Sequence, residues 1–162
     1  MSTEAVLLRL LVATLCGAAI GLNRILHHKP AGFRTFGLVA LGSAIVTLSA
    51  LALAGTDVAA ASRVAQGVMT GVGFVGAGVI LHRVTSREVR GLTTAAAVWA
   101  TAGVGVASGL GQFLIAGAGT GLMLLVLVVG GPVEEYFESL LERDRREADA
   151  TRRPRGGAGP VP

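Results

Sequence analysis

The stretch GVMTGVGFVGAGVIL, at residues 67–81, decides the expected fold. It carries no charge, and its glycines are Gly67, Gly71, Gly73, Gly76 and Gly78. In water, each glycine would weaken a helix by roughly 1 kcal/mol relative to alanine. In lipid, the backbone must satisfy its own hydrogen bonds, so the helix persists and its glycines let other helices approach closely. The sequence therefore predicts that this stretch is the central helix of a membrane bundle.

The same glycines contain the G-x-G-x-x-G pattern of dinucleotide-binding proteins, at Gly71, Gly73 and Gly76. That pattern works only after a β-strand and with an acidic residue about 20 positions later. Here it lies inside an apolar run, and the region about 20 residues on offers Arg90 and no carboxylate. We therefore reject nucleotide binding.

The composition also favours a membrane protein. Of the 162 residues, 52% are hydrophobic and 15% are charged, and the mean hydropathy is +0.67. Soluble domains carry about 25% charged residues. A formal charge of +4 would favour nucleic acid as the partner of a soluble protein. Because the basic residues lie between apolar runs, we interpret them as setting orientation in the membrane and expect no nucleic-acid partner.

Apolar runs recur along the chain at the length of a membrane helix. Five of them lie at about residues 5–22, 36–53, 64–81, 92–110 and 113–129, without a carboxylate in any. Such runs can cross the ~30 Å of hydrocarbon in a bilayer. Arg9, inside the first run, is expected to extend its side chain outward, and that run lacks the features of a signal peptide. The predicted fold class is an all-α membrane protein, a bundle of five transmembrane helices at residues 1–131.

The connections between the runs predict the orientation. The first and third connections are basic, whereas the second and fourth are nearly neutral. The charged residues of the two basic connections are Arg24, Lys29, Arg34, Arg83, Arg87, Glu88 and Arg90. Because basic loops stay cytoplasmic, we expect the N-terminus outside and the C-terminus inside.

The composition changes after residue 131. Apolar residues recur at helical spacing from position 133, with glutamates on the other faces, which predicts a short cytoplasmic amphipathic helix at residues 132–147. Pro132 suits the first turn of such a helix. Residues 148–162 are rich in Arg, Gly and Pro without periodic apolar positions, which predicts a disordered tail.

The first connection contains candidate functional residues at both ends. Asn23 and Arg24 close the first run, and Arg34 and Thr35 open the second, so the four could form a polar cluster at the inner face. Positive-charge anchoring and helix capping explain the same residues as well. The adjacent histidine pair points about 100° apart on a helix and makes a poor metal-chelating pair.

The third connection ends in RGLTTAAAVW. Arg90 precedes Thr93 and Thr94, which fall in the first turn of the fourth helix. Free N–H groups, the helix dipole and an arginine together form a candidate anion site. Ordinary capping together with a lipid phosphate is the simpler interpretation.

Two helices carry further polar or aromatic candidates. Small residues at positions 94, 101, 105 and 108 share one face of the fourth helix, which we interpret as a packing face rather than a pore lining. Trp99 lies in the middle of the span and is expected to pack inside the bundle. On the third helix, Gln66 and Thr70 flank Gly67 and could bond across helices.

Several chemical functions lack the residues they need. The chain has no Walker motif, no nucleophile–base pair and no carboxylate within its apolar runs. Hard cations such as Mg²⁺ prefer several oxygen ligands, usually including carboxylates. The lone Cys16 excludes a multi-cysteine metal site and an internal disulfide. We predict no catalytic residue, no cofactor and no metal site, and therefore no enzyme.

The ordered combination of AGFRT at residues 31–35, GVGFVGAG at 71–78 and RGLTTAA at 90–96 resembles the MgtC/SapB family of bacterial inner-membrane proteins. The resemblance covers about residues 9–125 and implies a five-helix membrane domain in the inner (plasma) membrane. It also implies a link to growth in low magnesium and, in pathogens, to survival inside host cells. Some members are implicated in restraining the F-type ATP synthase, which makes that complex a partner implied by resemblance alone.

This chain departs from the usual pattern of the family in two respects. The family usually has an acidic residue before the arginine of the first loop, whereas this chain has Asn23 before Arg24. Longer members carry a soluble C-terminal domain, so the resemblance here is to the short form. Our leading hypothesis is a non-enzymatic inner-membrane regulator that binds another membrane protein or itself. The alternative is an ion or small-solute channel or transporter, because a pore lined by backbone carbonyls needs no carboxylate.

Overall fold

Helices form nearly all of the chain that the structure describes. The structure is a computed structural model and describes residues 1–54, 57–81 and 91–152. The helices are α1 (Thr3–Leu26), α2 (Phe33–Ala54), α3 (Val58–Leu81), α4 (Leu92–Gly109) and α5 (Phe113–Arg152). The described ranges contain no strand, and each of the five helices is long and apolar enough to cross a membrane. The predicted fold class, an all-α bundle of five transmembrane helices, is confirmed.

The chain turns sharply between α1 and α2. His28 and Ala31 have φ angles of 50° and 61°, in the left-handed region that non-glycine residues rarely adopt. A Cβ at Gly21 would lie 2.7 Å from the Cα of Phe33, so only glycine lets the start of α2 pack on α1 at this point. Gly21 therefore fixes how closely the two helices meet.

The most buried helix is α4. Of its membrane-length segment 67% is buried, against 6% for that of α3. The prediction that residues 67–81 form the central helix is therefore wrong. The physical reason is that α3 contacts α4 and α2 along one side, and only Gly76 among the predicted glycines meets a neighbour, with a Cβ position 3.6 Å from the Cβ of Ala95.

Close backbone contacts hold α2 between α1 and α4. A Cβ at Gly17 of α1 would lie 2.5 Å from the carbonyl oxygen of Phe36, and one at Gly105 of α4 would collide with the carbonyl oxygen of Ala40. Helices in lipid associate by this kind of contact, because lipid tails leave little hydrophobic driving force between helices. The buried core of these helices includes Ala13, Ile20, Phe36, Ala40, Ala44 and Val98. Small residues at the helix crossings thus set how closely α1, α2 and α4 approach one another around a few large buried side chains.

Helix α5 is longer than the sequence pattern predicts. It runs without interruption to Arg152 with Pro132 inside it, where we predicted a separate helix at residues 132–147. A proline removes one hydrogen bond from a helix interior and tends to kink it, but the helical spacing of apolar residues on its far side continues the helix. The structure is helical at residues 148–152, where we predicted a tail, and residues 153–162 lie outside the described part. Contacts divide the chain into two units, residues 1–125 and 126–162.

Candidate functional site

Arg24 is the residue at which polar groups of two helices meet. It lies in the last turn of α1 and is only 3% exposed. Its Nη2 donates a 2.6 Å hydrogen bond to Oγ1 of Thr94, a buried residue in the first turn of α4. The sequence placed Arg24 and Thr94 in two separate candidate clusters, and the fold brings them into contact.

Two polar atoms at this end of α1 are buried without a partner. They are Nε of Arg24 and Oδ1 of Asn23, and neither has a hydrogen bond in the described part of the chain. The backbone at the same place is satisfied, since the carbonyl oxygen of Arg24 accepts from the Lys29 N–H at 3.0 Å and that of Asn23 accepts from the His27 N–H at 3.3 Å. Buried polar groups are nearly always paired, so these two atoms stand out within the described part of the chain as buried polar atoms without a partner.

The other predicted members of the first cluster lie elsewhere. Arg34 is exposed and Thr35 is half-buried, both in the first turn of α2. Among the described residues, the side-chain partner of Arg24 is Thr94 and neither of these two. The polar contact at this end of the bundle therefore joins α1 to α4 rather than α1 to α2.

Among the described residues, no side chain caps the start of α4. Gly91, its N-cap residue, has a φ of 99° and provides no side-chain hydrogen bond to the first turn. Thr93 is exposed, whereas Thr94 is buried. Arg90, which we predicted to supply the positive charge of an anion site here, lies outside the described residues. Within the described part, the guanidinium that contacts this turn is that of Arg24.

The exposed side of α3 combines glycines with polar side chains. Gly67, Gly71, Gly73 and Gly78 all face open space in the described part of the chain, with no atom of another helix within 4 Å of their Cβ positions. Gln66 and Thr70 are exposed on the same helix. The amide nitrogen of Gln66 lies 3.5 Å from Oγ of Ser62, one turn away, at the outer limit of a hydrogen bond. We call the surface formed by residues 66, 67, 70, 71, 73 and 78 the open face of α3.

Helix α4 buries the small-residue face that the sequence indicated. Thr101 and Ser108 are fully buried, and each donates to a carbonyl oxygen of its own helix, at 2.8 and 2.9 Å. The interpretation of this surface as a packing face agrees with the structure. Trp99, however, is 50% exposed, so the expectation that it packs inside the bundle is wrong. It lies on the side of α4 opposite to the buried face.

Metal-binding groups do not assemble in the described residues. No cluster of three or more His, Cys, Asp or Glu side chains able to hold a metal ion occurs there. Cys16 is a free, partly buried cysteine packed against Val104, Ala107 and Ala116. The polar groups of the described site are therefore the guanidinium of Arg24, the hydroxyl of Thr94 and the amide of Asn23.

Sequence reasoning missed the partner of Arg9. Its Nη1 donates a 2.9 Å hydrogen bond to the carbonyl oxygen of Gly109, the last residue of α4. A positive charge at a helix C-terminus is favourable, because the last carbonyls there lack helical partners. The position of Arg9 inside an apolar run indicated that its side chain needs a partner. The sequence pattern does not tell which helix end lies beside it.

These features define a class: a multi-pass membrane protein whose helices pack through small residues and enclose a buried arginine. The chain belongs to the MgtC family, whose sequence profile matches residues 10–136. The resemblance noted in the sequence is thereby confirmed.

Individual relatives support the same conclusion. Protein SrpB of Synechococcus elongatus is 48% identical over 129 residues, covering 74% of this chain and 71% of that protein. Protein MgtC of Salmonella typhimurium is 45% identical over 118 residues, covering 73% of this chain and 49% of that protein. The putative magnesium transporter YhiD of Escherichia coli is 41% identical over 138 residues, covering 80% of this chain and 61% of that protein. The chain thus spans about half the length of the Salmonella relative. No solved structure matches it.

Proposed function

We propose that this protein is a non-enzymatic regulator of the bacterial inner membrane that acts by binding another membrane protein through the open face of α3. One observation carries the proposal: a membrane-length helix that is only 6% buried presents flat glycine surface beside exposed polar side chains. A surface with these properties is suited to close packing against a helix of another membrane protein.

Lipid alone is a poor environment for this face. Hydrocarbon offers no partner to the amide of Gln66 or the hydroxyl of Thr70, and an unpaired polar group in lipid is costly. Glycines give helices a surface on which backbones approach closely, and polar side chains hydrogen-bond across such interfaces. A partner helix would satisfy both features at once.

The family supplies the physiological setting of the proposal. The relative YhiD bears the name of a putative magnesium transporter, and the family resemblance implies adaptation to magnesium limitation. We therefore place the regulated process in magnesium homeostasis. The F-type ATP synthase is one candidate partner, and a second copy of this chain is another.

Growth under magnesium limitation tests the proposal in a strain that lacks the protein. Gly71→Leu and Gly78→Leu fill the open face, whereas Gly42→Leu on α2 adds the same side chain at another glycine that faces open space. We expect the parent and Gly42→Leu to restore growth and the two α3 variants to fail at equal amounts in the membrane. Equal restoration by all four proteins would contradict a role for this face.

A transporter is the second candidate, favoured by the name of YhiD. Purified protein in liposomes that contain a magnesium-sensitive dye separates the two functions. The regulator hypothesis expects no flux above that of empty liposomes. Flux that depends on the protein, and that Gln66→Leu alters, would establish transport instead.

The proposed orientation places the N-terminus outside and the C-terminus in the cytoplasm. It follows from the basic first and third connections. Reporter fusions at Asp57 and at Arg87 should report opposite sides of the membrane. Reporters in the same compartment would refute this orientation.

A further inference from the structure

We infer that Arg24 and the first turn of α4 form a binding site for a phosphate-type oxyanion, supplied either by a lipid headgroup or by free phosphate. The inference is independent of the proposed function, because it concerns the junction of α1 and α4 and not the open face of α3. Burial, unpaired atoms and helix geometry each contribute to it.

The charge of Arg24 has no counter-charge among the described residues. The guanidinium is positive at any physiological pH, its residue is 3% exposed, and its side-chain partner there is the neutral hydroxyl of Thr94. A buried charge is costly unless it is paired. The C-terminal end of α1 offers a partial negative charge, but the N-terminal end of α4 on the other side offers a partial positive one. An anion at this junction would interact favourably with both the guanidinium and the start of α4.

The available donors match an oxyanion. Thr94 holds Nη2 at 2.6 Å and so orients the planar guanidinium, while Nε is buried and has no partner among the described residues. Gly91, the N-cap residue of α4, has no side chain with which to cap the first N–H groups of the helix. Phosphates bind at helix N-termini through such N–H groups, and an arginine adds charge-assisted hydrogen bonds. The buried Nε of Arg24, which has no partner among the described residues, thus adds a charged donor that a helix terminus alone does not have.

Oδ1 of Asn23, which has no partner among the described residues, indicates which kind of anion would bind here. Oδ1 is an acceptor, buried in the same turn of α1 as Arg24. Chloride and an ionised carboxylate accept hydrogen bonds but cannot donate one. Free phosphate retains a proton at neutral pH, so it can accept from the arginine and donate to the amide oxygen. A phosphatidylglycerol headgroup has no proton on its phosphodiester, but its glycerol hydroxyls can donate to the amide oxygen while its phosphate oxygens accept from the arginine. This pairing favours phosphate over the other common anions.

The test uses the purified full-length chain in an uncharged detergent. Unfolding temperature is measured with inorganic phosphate, with a short-chain phosphatidylglycerol and with chloride at matched ionic strength, and native mass spectrometry identifies the bound species. We expect one of the two phosphate sources to raise the unfolding temperature above the chloride control and to appear as an adduct. The adduct mass tells the lipid from the free ion. Absence of both effects in the parent would overturn the inference.

Two variants locate the site. Arg24→Lys keeps the charge but removes Nε, and should weaken phosphate binding by about tenfold or more, the loss expected for one hydrogen bond to a charged group. Arg34→Gln removes an exposed charge from the start of α2 and should bind like the parent. Equal binding by Arg24→Lys and the parent, or equal weakening in Arg34→Gln, would overturn the assignment.

A third variant keeps the inference testable if Arg24→Lys does not fold. Thr94→Val is nearly isosteric and removes the oxygen that holds Nη2. Thr120→Val is its control, because that buried hydroxyl bonds to the carbonyl oxygen of Ala116 in its own helix. We expect Thr94→Val to weaken phosphate binding and Thr120→Val to leave it unchanged. Unchanged binding in Thr94→Val would contradict the site.

Discussion

Gly105 of α4 and Gly71 of α3 are the same residue in similar apolar helices, but their surroundings are opposite. A Cβ at Gly105 would collide with the carbonyl oxygen of Ala40, whereas one at Gly71 would meet no other helix within 4 Å. Gly105 allows a close contact between α4 and α2, whereas Gly71 leaves a surface that no other described helix covers. In a membrane protein, glycine therefore marks where a helix can be approached, and the fold decides whether the chain itself makes that approach.

The largest effect should come from adding a single methyl group to α4. Gly105→Ala places a Cβ against the α2 backbone, which cannot move as a flexible side chain can. Overpacking of this kind costs about 1–3 kcal/mol. The unfolding temperature and protease resistance in detergent should fall clearly below those of the parent. Parent-like stability would mean that α2 and α4 are not packed as described.

A smaller loss of stability is expected when Arg9 of α1 no longer binds the C-terminal end of α4. Arg9→Met removes the hydrogen bond to the carbonyl oxygen of Gly109 while keeping a long side chain. A hydrogen bond to a charged group contributes ~1.5–3 kcal/mol, and partial burial of this pair suggests the lower end of that range. Detergent unfolding should place Arg9→Met between the parent and Gly105→Ala. Arg9→Lys, which retains a donor and the charge, should recover part of the loss. No difference between Met and Lys at this position would contradict the capping role.

The smallest effect on stability is expected on α3. Gly71→Leu adds a side chain to open space, as does the control Gly42→Leu on α2. Surface substitutions usually change stability by no more than about 0.5 kcal/mol. Both variants should unfold within that margin of the parent when purified. A strongly destabilised Gly71→Leu with a stable Gly42→Leu would restore the central position that the sequence suggested for α3.

The sequence predicted the helices well, but it predicted poorly which helices pack against one another. Run length and hydropathy identified five membrane helices, because crossing a bilayer requires about 20 apolar residues and charges interrupt such runs. The glycine pattern of residues 67–81 gave the wrong central helix, because glycines that face open space and glycines that pack against another helix of the chain look alike in a sequence. The break expected at Pro132 did not occur either, because one lost hydrogen bond does not end a helix with favourable residues on both sides.

The candidate site shows the same limit. Asn23, Arg24, Thr93 and Thr94 were all named from the sequence, but as members of two clusters. That Arg24 and Thr94 touch depends on the packing of α1 against α4, which joins residues 70 positions apart. No local pattern encodes such a contact. The exposure of Trp99 was unpredictable for a related reason, since in lipid both sides of a helix can be equally apolar.

Photo-crosslinking in native membranes tests most directly whether the open face of α3 contacts another membrane protein. A photoreactive amino acid at Thr70 samples that face, and the same residue at Ile45 samples an exposed apolar surface of α2. We predict protein adducts of discrete mass from position 70 and lipid adducts alone from position 45. Gly71→Leu should abolish the protein adducts, whereas Gly42→Leu should leave them unchanged. Lipid adducts alone from both positions would show that α3 faces the bilayer and would contradict the account.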